Sequence, residues 1–201
     1  MNKLEPSLEQ YWTNRYENES TGWDLGSISE PLRQYFDQLE DKGLKILIPG
    51  AGNAYEAEYL FRSGFYNTHI VDISSIPLGN FKQRMTEFPS QQIIHGDFFE
   101  LKDQYDLIIE QTFFCSFPPV DNFRKRYAEK MSDLLRPGGK LVGLWFDIPL
   151  KDDLSKRPFG GSKEEYESIL GEYFTIHTLN KCYNSISGRD GDELFGIFMK
   201  E

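Results

Sequence analysis

The sequence predicts an α/β protein with a Rossmann-like, doubly wound sheet of seven mostly parallel strands and a C-terminal antiparallel hairpin. Two observations lead to this fold class. As far as about residue 173, apolar segments of strand length alternate with segments of helical pattern, which is the order of βαβ units. Two strand-like segments, 175–183 and 193–200, then follow one another with no helix between them. Consecutive strands of this kind pair as an antiparallel hairpin.

The predicted elements follow one another without a linker, a repeat or a low-complexity segment. Apolar runs mark the strands, while proline, glycine and serine mark the helix boundaries. Asn53 is the expected cap of the helix after the first strand, and Ser162 that of the last helix. The elements are, in chain order, helix 31–42, strand 45–49, helix 54–63, strand 68–72, helix 74–88, strands 91–95 and 105–111, helix 124–135, strand 140–146, a helix ending near 173, and the two final strands.

Composition limits the class of protein. The 201 residues suit a single domain, 1–201, with a well-buried core. A net charge of -10 argues against nucleic acid and anionic membranes as partners. Cys115 and Cys182 form no disulfide or metal-binding pattern, and no apolar run reaches the length of a membrane span. We therefore expect a cytoplasmic protein without a metal site, either a monomer or a weak homodimer.

A glycine turn after the first strand is the most informative motif. Pro49-Gly50-Ala51-Gly52 follows an apolar strand, and about twenty residues later the next strand ends in Asp72. Glycines let the backbone approach a ligand closely, and an acid at the second strand end accepts hydrogen bonds from ribose hydroxyls. The unit predicts an adenosine site. Asp97, near the end of the third strand, is a candidate acceptor for the exocyclic amine of adenine.

Short motifs in a fixed order carry a family resemblance. They are Tyr-Trp at 11–12, Trp-Asp-Leu-Gly at 23–26, Pro-Gly-x-Gly at 49–52, Asp-Ile-Ser at 72–74, Gly-Asp-Phe-Phe at 96–99, Phe-Phe-Cys at 113–115, Pro-Gly-Gly at 137–139 and Pro-Phe at 158–159. This set spans nearly the whole chain and resembles the thiopurine S-methyltransferase family, including its plant halide and thiol methyltransferase branch. The resemblance implies the class I methyltransferase fold, S-adenosylmethionine as cofactor, and a small thiol, thiopurine, thiocyanate or halide as methyl acceptor.

The resemblance also implies roles for single residues. It places Arg124, Phe114 and Phe159 on the acceptor side, and Gln111 at the methionine end of the cofactor. The full set of implied cofactor contacts is Trp12, Tyr16, Trp23, Gly50, Gly52, Asp72, Ile73, Asp97, Phe98 and Gln111. Residues 157–161 read Arg-Pro-Phe-Gly-Gly where the family has Gly-Gly-Pro-Pro-Phe, a departure that bears on acceptor preference.

The aromatic residues of segment 1–30 lie in an otherwise polar stretch, so they need a concave partner. We expect this segment to form a mobile lid over the cofactor, whose sulfonium cation is attracted by aromatic faces. A thiolate or halide arrives already ionised, so the mechanism needs no metal and no catalytic acid or base.

Other functions fit parts of the pattern. An O- or N-methyltransferase would need a base, for which Asp24 or Glu110 are available. A nicotinamide-dependent dehydrogenase would use the same glycines and acid, but Tyr55 interrupts the full glycine pattern. A non-catalytic nucleotide-binding module is the third alternative. Cys115 is expected to be a packed, unreactive thiol, and the histidines at 69, 95 and 177 form no metal-binding cluster.

Overall fold

The computed structural model describes residues 7–151, 153 and 156–201. Its elements are, in order, α1 (Leu8–Glu17), α2 (Glu30–Phe36), β1 (Ile46–Pro49), α3 (Tyr55–Arg62), β2 (Thr68–Asp72), α4 (Ser75–Arg84), β3 (Ile93–His95), β4 (Tyr105–Gln111), α5 (Phe123–Asp133), β5 (Leu135–Phe146), α6 (Lys163–Leu170), β6 (Thr175–Lys181) and β7 (Glu193–Met199). The strands form one sheet in the order β3-β2-β1-β4-β5-β7-β6. Strands β1 to β5 pair in parallel, and β7 is antiparallel to both neighbours. The predicted fold class is confirmed.

The strand order creates a reversal point between β1 and β4. From β1 the chain builds outward through β2 and β3, and then returns to place β4 on the other side of β1. Ligands of open α/β sheets bind at such a reversal, beyond the carboxyl ends of the strands. The register pairs Pro49 with Val71, so the glycine turn after β1 and Asp72 at the end of β2 lie side by side.

Helices cover both faces of the sheet. On one face Leu32, Leu60 and Phe81, from α2, α3 and α4, are fully or almost fully buried in one apolar cluster. On the other face Tyr127 of α5 and Tyr166 of α6 belong to a second cluster. Burial on both faces explains why the central strands read as continuous apolar runs and not as alternating ones.

Helix α1 was not predicted as a helix. Ser7 caps it: the Ser7 hydroxyl accepts the N–H of Gln10 at 3.2 Å, and the Gln10 side chain accepts the N–H of Ser7 at 3.4 Å, a capping box. No residue of α1 is fully buried, and the Thr13 hydroxyl lies 3.0 Å from that of Ser74 at the start of α4. Residues 1–6 of the predicted lid lie outside the described part of the chain.

Several element boundaries differ from the prediction. Strand β5 begins at Leu135, which pairs with Tyr105, and residues 136–139 bulge out before Lys140 pairs with Leu107. Pro-Gly-Gly at 137–139, expected to separate helix 124–135 from strand 140–146, therefore belongs to a bulge inside strand β5. The residue before α3 is Ala54, with a φ of 55°, and not Asn53. Helices α2, α4 and α6 end at residues 36, 84 and 170, several residues earlier than predicted.

Candidate functional site

A cleft of about 420 Å³ opens at the reversal point of the sheet. Its volume lies in the range of small-molecule sites. Its wall is mainly apolar and contains eight aromatic residues, and its lining includes the ends of β1, β2 and β3, the loop after β4, and part of α1. The predicted residues that line it are Trp12, Tyr16, Trp23, Gly50, Asp72, Ile73, Asp97 and Phe98.

Asp72 joins two turns at the floor of this cleft. One carboxylate oxygen accepts the N–H of Gly52 at 2.9 Å, and the other accepts the N–H of Ser74 at 2.8 Å. The residue is only 8% exposed, and burial raises the pKa of its carboxyl. Each carboxylate oxygen keeps a second lone pair, so Asp72 can hold both turns and still accept a hydrogen bond from a ligand hydroxyl.

The glycine turn is shaped by close neighbours. Gly50 has a φ of 57°, and a Cβ built on it would lie 2.2 Å from the Phe113 ring. Gly52 has a φ of 53°, and its Cβ would lie 3.0 Å from the Tyr16 hydroxyl. Both positions combine a left-handed backbone with little free space, so a side chain there would be strained and would intrude on the cleft.

Three aromatic residues of the N-terminal segment form one edge-to-face group. The Trp23 ring lies 5.3 Å from that of Trp12 and 5.8 Å from that of Tyr16, both nearly perpendicular to it. The Arg15 guanidinium lies 5.4 Å from the centre of the Trp23 ring. All three aromatic residues line the cleft, so together they form an aromatic wall beside the glycine turn, where the Tyr16 hydroxyl approaches Gly52.

Asp97 and Phe98, which are expected beside the adenine, lie in a different part of the site from Gln111. Asp97 is exposed, and its carboxylate accepts the N–H of Phe99 at 2.9 Å. The neighbouring Phe98 ring is buried against Phe113, with ring centres 5.3 Å apart. Gln111 lines a smaller adjoining cavity of about 50 Å³ together with Gly52. The Ser29 hydroxyl donates to its side-chain oxygen at 3.0 Å.

The three residues expected on the acceptor side do not line the cleft. Phe114 and Phe159 are each 1% exposed. Arg124 is also buried: it forms a 2.7 Å ion pair with Glu165 of α6 and donates to the carbonyl oxygens of Phe117 and Gly160. In this position the guanidinium fastens the loop after β4 to α6, and its donors are directed away from the cleft.

Other residues line the part of the cleft beyond the loop after β4. The loop after β4 contributes the rings of Phe113 and Phe117, and α5 contributes Phe123 and Arg126. Arg157 reaches the same cleft from the loop before α6. Phe123 and Arg126 lie one turn apart on α5, a spacing that brings both side chains to one face of the helix.

Glu110 supports the loop that carries Phe113. One oxygen of its buried carboxyl accepts the N–H of Phe113 at 2.6 Å and that of Phe114 at 2.9 Å. Burial raises the pKa of this carboxyl from 4.5 to about 8. Glu110 therefore carries a proton in the folded protein near neutral pH, and it acts from beneath the loop without lining the cleft.

Cys115 is a packed thiol in this fold. Cys115 is buried, and burial raises the pKa of its thiol to about 12, so its thiolate is not available near neutral pH. The described residues contain no cluster of histidine, cysteine and acidic side chains able to hold a metal ion. In the same part of the chain, no helix is long and apolar enough to cross a membrane.

Comparison with known sequences gives one family. The model of the thiopurine S-methyltransferase family matches residues 8–197. A probable thiol methyltransferase 2 of Arabidopsis thaliana is 30% identical over 166 residues, 79% of this chain and 70% of that protein. Thiocyanate methyltransferase 1 of the same plant is 24% identical over 94% of this chain and 84% of its own length. A thiopurine S-methyltransferase of Nitrosospira multiformis is 25% identical over 86% of each chain.

Comparison with solved structures supports the fold. A 1,6-didemethyltoxoflavin-N1-methyltransferase of Burkholderia thailandensis, solved with S-adenosylhomocysteine bound, superposes with a TM-score of 0.77 at 15% identity. The match covers 96% of this chain and 87% of that one. A TehB-like S-adenosylmethionine-dependent methyltransferase of Corynebacterium glutamicum has a TM-score of 0.64 at 17% identity, over 96% and 98% of the two chains.

Protonation of Glu110 predicts a pH dependence of stability. Between about pH 5 and 8 the folded protein keeps this proton and the unfolded chain releases it, so the free energy of unfolding falls as pH rises. Glu110→Gln removes the titration. Across this window the free energy of unfolding of the variant should fall less steeply with pH than that of wild type. The two slopes should differ by up to ~1.4 kcal/mol per pH unit. Urea unfolding at a series of pH values measures the slopes.

The exposed Glu129→Gln variant on α5 is the control and should reproduce the wild-type slope. Identical slopes for Glu110→Gln and wild type would mean that Glu110 is ionised in the folded protein.

Proposed function

This chain belongs to the thiopurine S-methyltransferase family, and on that premise we propose that it transfers a methyl group from S-adenosylmethionine to a small, soft anion. The acceptor classes are a thiolate, a thiopurine, thiocyanate or a halide. The observation that carries the proposal is one cleft that combines the glycine turn and Asp72 with an aromatic wall.

The cofactor site is proposed from the fit of the residues. Asp72 accepts the ribose hydroxyls through its remaining lone pairs, while Asp97, Phe98 and Ile73 hold the adenine. We assign the methionine end to the backbone of Gly50 and Gly52 together with Gln111, because these three residues line the small cavity that adjoins the cleft. When bound, S-adenosylmethionine supplies a methyl group attached to a cationic sulfur.

The aromatic residues of the N-terminal segment are suited to attract the cationic sulfur of the cofactor. Ring faces attract a cation by about 0.5–2 kcal/mol, and more strongly where water is excluded. Trp12, Tyr16 and Trp23 lie around the cleft as such faces. We assign them to a lid that binds the sulfonium and keeps water from the reacting atoms.

The acceptor reacts as an anion without a protein base. The two candidate bases are both engaged elsewhere: Glu110 accepts two backbone N–H groups, and Asp24 accepts the N–H of Gly26 and the Asn53 side chain. Neither lines the large cleft. The rings of Phe113 and Phe117 face the cleft and weaken the hydration of a soft anion as it enters. The protein contributes alignment and exclusion of water.

Asp72 should control cofactor affinity. Asp72→Asn removes the charge that receives the ribose hydroxyls, so binding of S-adenosylhomocysteine should weaken by about 1–3 kcal/mol. Calorimetric titration measures it. The control Asp41→Asn changes an exposed carboxylate that also accepts a backbone N–H, from Gly43 at 2.8 Å, and it should bind like wild type. Unchanged affinity in Asp72→Asn, or tight binding of NAD to wild type, would contradict the assigned site.

The lid should become ordered when the cofactor binds. No residue of α1 is fully buried, so its opening costs little free energy without ligand. Hydrogen exchange across residues 10–26 should slow when S-adenosylhomocysteine is added, whereas the buried strand β4 should be protected in both states. Equal exchange of residues 10–26 with and without ligand would exclude a lid.

The pH dependence of the rate should follow the acceptor. When thiols of different pKa are compared, the midpoint of the kcat/KM profile should shift with the pKa of each thiol, because the thiolate is the nucleophile. Initial rates with labelled S-adenosylmethionine provide the profiles, and Asp24→Asn should leave the midpoints unchanged. A midpoint that stays constant across the thiols would reveal a protein base.

A further inference from the structure

We propose that Arg189, in the loop between β6 and β7, acts as a latch for the N-terminal lid: it holds the Trp23 carbonyl oxygen and so keeps the aromatic wall closed over the cofactor. This inference rests on the proposed function and specifies how the lid of that site is held. Arg189 does not line the cleft, so it acts through Trp23 as a positioning residue.

The guanidinium of Arg189 is bound on three sides. One terminal nitrogen donates to the Glu193 carboxylate at 3.1 Å, and the other donates to the Trp23 carbonyl oxygen at 2.9 Å. The guanidinium carbon lies 5.2 Å from the centre of the Phe146 ring. Because the fork of an arginine is planar and rigid, it can make both hydrogen bonds at once in a fixed geometry. One group, only 8% exposed, therefore joins the sheet to the N-terminal segment.

Glu193 gives the latch a rigid base. It is the first residue of β7, and it pairs with Phe146 of β5. The loop that carries Arg189 is closed by the backbone of Arg189 itself. The Arg189 N–H donates to the Ile186 carbonyl oxygen at 2.8 Å, and its carbonyl oxygen accepts the N–H of Asp192 at 3.0 Å. The position of the guanidinium is therefore set by the C-terminal hairpin and does not depend on the lid.

Trp23 transmits this contact to the cleft. Its carbonyl oxygen is bound by Arg189, while its ring packs on the other two rings of the aromatic wall and lines the cleft. The next residue, Asp24, accepts a hydrogen bond from the Asn53 side chain in the glycine turn. Residues 23 and 24 are thus fastened to the hairpin loop and to the glycine turn, whereas no residue of α1 is fully buried.

The charge of Arg189 is balanced without the lid. Glu193 pairs with it, and the same positive charge opposes the rise in pKa that burial causes at the Glu56 carboxyl. What Trp23 adds is one neutral acceptor for the second terminal nitrogen. A single hydrogen bond of this kind is strong enough to favour the closed lid and weak enough to break when the product leaves.

Calorimetric titration of the full-length protein with S-adenosylhomocysteine tests the latch through two variants. Glu193→Gln removes the ion pair but keeps the guanidinium that donates to Trp23. The double variant, Arg189→Gln with Glu193→Gln, removes the guanidinium as well and leaves no unpaired carboxylate at position 193. The double variant should bind about tenfold more weakly than Glu193→Gln.

Two further measurements separate a latch from a general loss of structure. With S-adenosylhomocysteine bound, hydrogen exchange across residues 10–26 should be faster in the double variant than in Glu193→Gln. The KM for S-adenosylmethionine should rise by about the same factor as the dissociation constant, while kcat stays nearly unchanged, because Arg189 does not contact the reacting atoms.

A contact from the same hairpin to another helix provides the control. The Tyr183 hydroxyl donates to the Gln34 side chain of α2 at 2.9 Å, so Tyr183→Phe removes a hydrogen bond that does not involve the lid. This variant should bind S-adenosylhomocysteine like wild type. If the double variant does not fold, Arg189→Lys takes its place: the ammonium still meets Glu193, but it lacks the second prong of the fork, and affinity should fall below that of Glu193→Gln.

The outcomes distinguish the latch from the proposed function. Equal affinities of Glu193→Gln and the variant without the guanidinium would overturn the latch, and so would a fall in kcat with no change in KM. If wild type binds S-adenosylhomocysteine but methylates no thiol, thiocyanate or iodide, the proposed function is rejected and the titrations still decide the latch. Wild type that does not bind S-adenosylhomocysteine would reject both.

Discussion

The bridge that Asp72 makes between Gly52 and Ser74 is the contact on which the site depends. Parallel pairing of β1 with β2 brings two turns to one edge of the sheet, where their backbone N–H groups would be left without acceptors. One buried carboxylate satisfies both, at 2.9 and 2.8 Å. This bridge fixes the conformation of the glycine turn, in which Gly50 lies against the Phe113 ring. It also positions Ser74 at the start of α4, where the Ser74 hydroxyl contacts that of Thr13 on α1.

The acceptor side is organised by side chains that never reach it. Glu110 holds the loop after β4 from below through two backbone N–H groups. Arg124 ties the same loop to Gly160 and to Glu165 on α6. Breaking a buried ion pair by removing one partner leaves an uncompensated charge, so Arg124 and Glu165 are constrained even though they lie behind the wall. Arg126 and Arg157, in contrast, line the cleft themselves and pack against aromatic rings.

Much of the fold and half of the site could be predicted because local signals sufficed. Strand β4 was predicted at its observed bounds, and the glycine turn and Asp72 follow from residue type and spacing. Other features depend on tertiary contacts that a sequence does not display. Residues 136–139 bulge because Lys140 must pair with Leu107, and Arg124 turns inward because Glu165, 41 residues away, lies opposite it. Helix α1 was missed although its capping pair, Ser7 and Gln10, can be read in the sequence.

The position of β7 between β5 and β6 has a consequence for the order in which the chain folds. Within the described sheet β6 pairs with β7 and with no other strand. Although β6 emerges from the ribosome first, it cannot join the sheet until β7 has docked against β5. In that interval the apolar edge of β5 is open to other nascent chains. The edge of β5 is therefore covered only when β7 docks, alone or together with β6 as a hairpin.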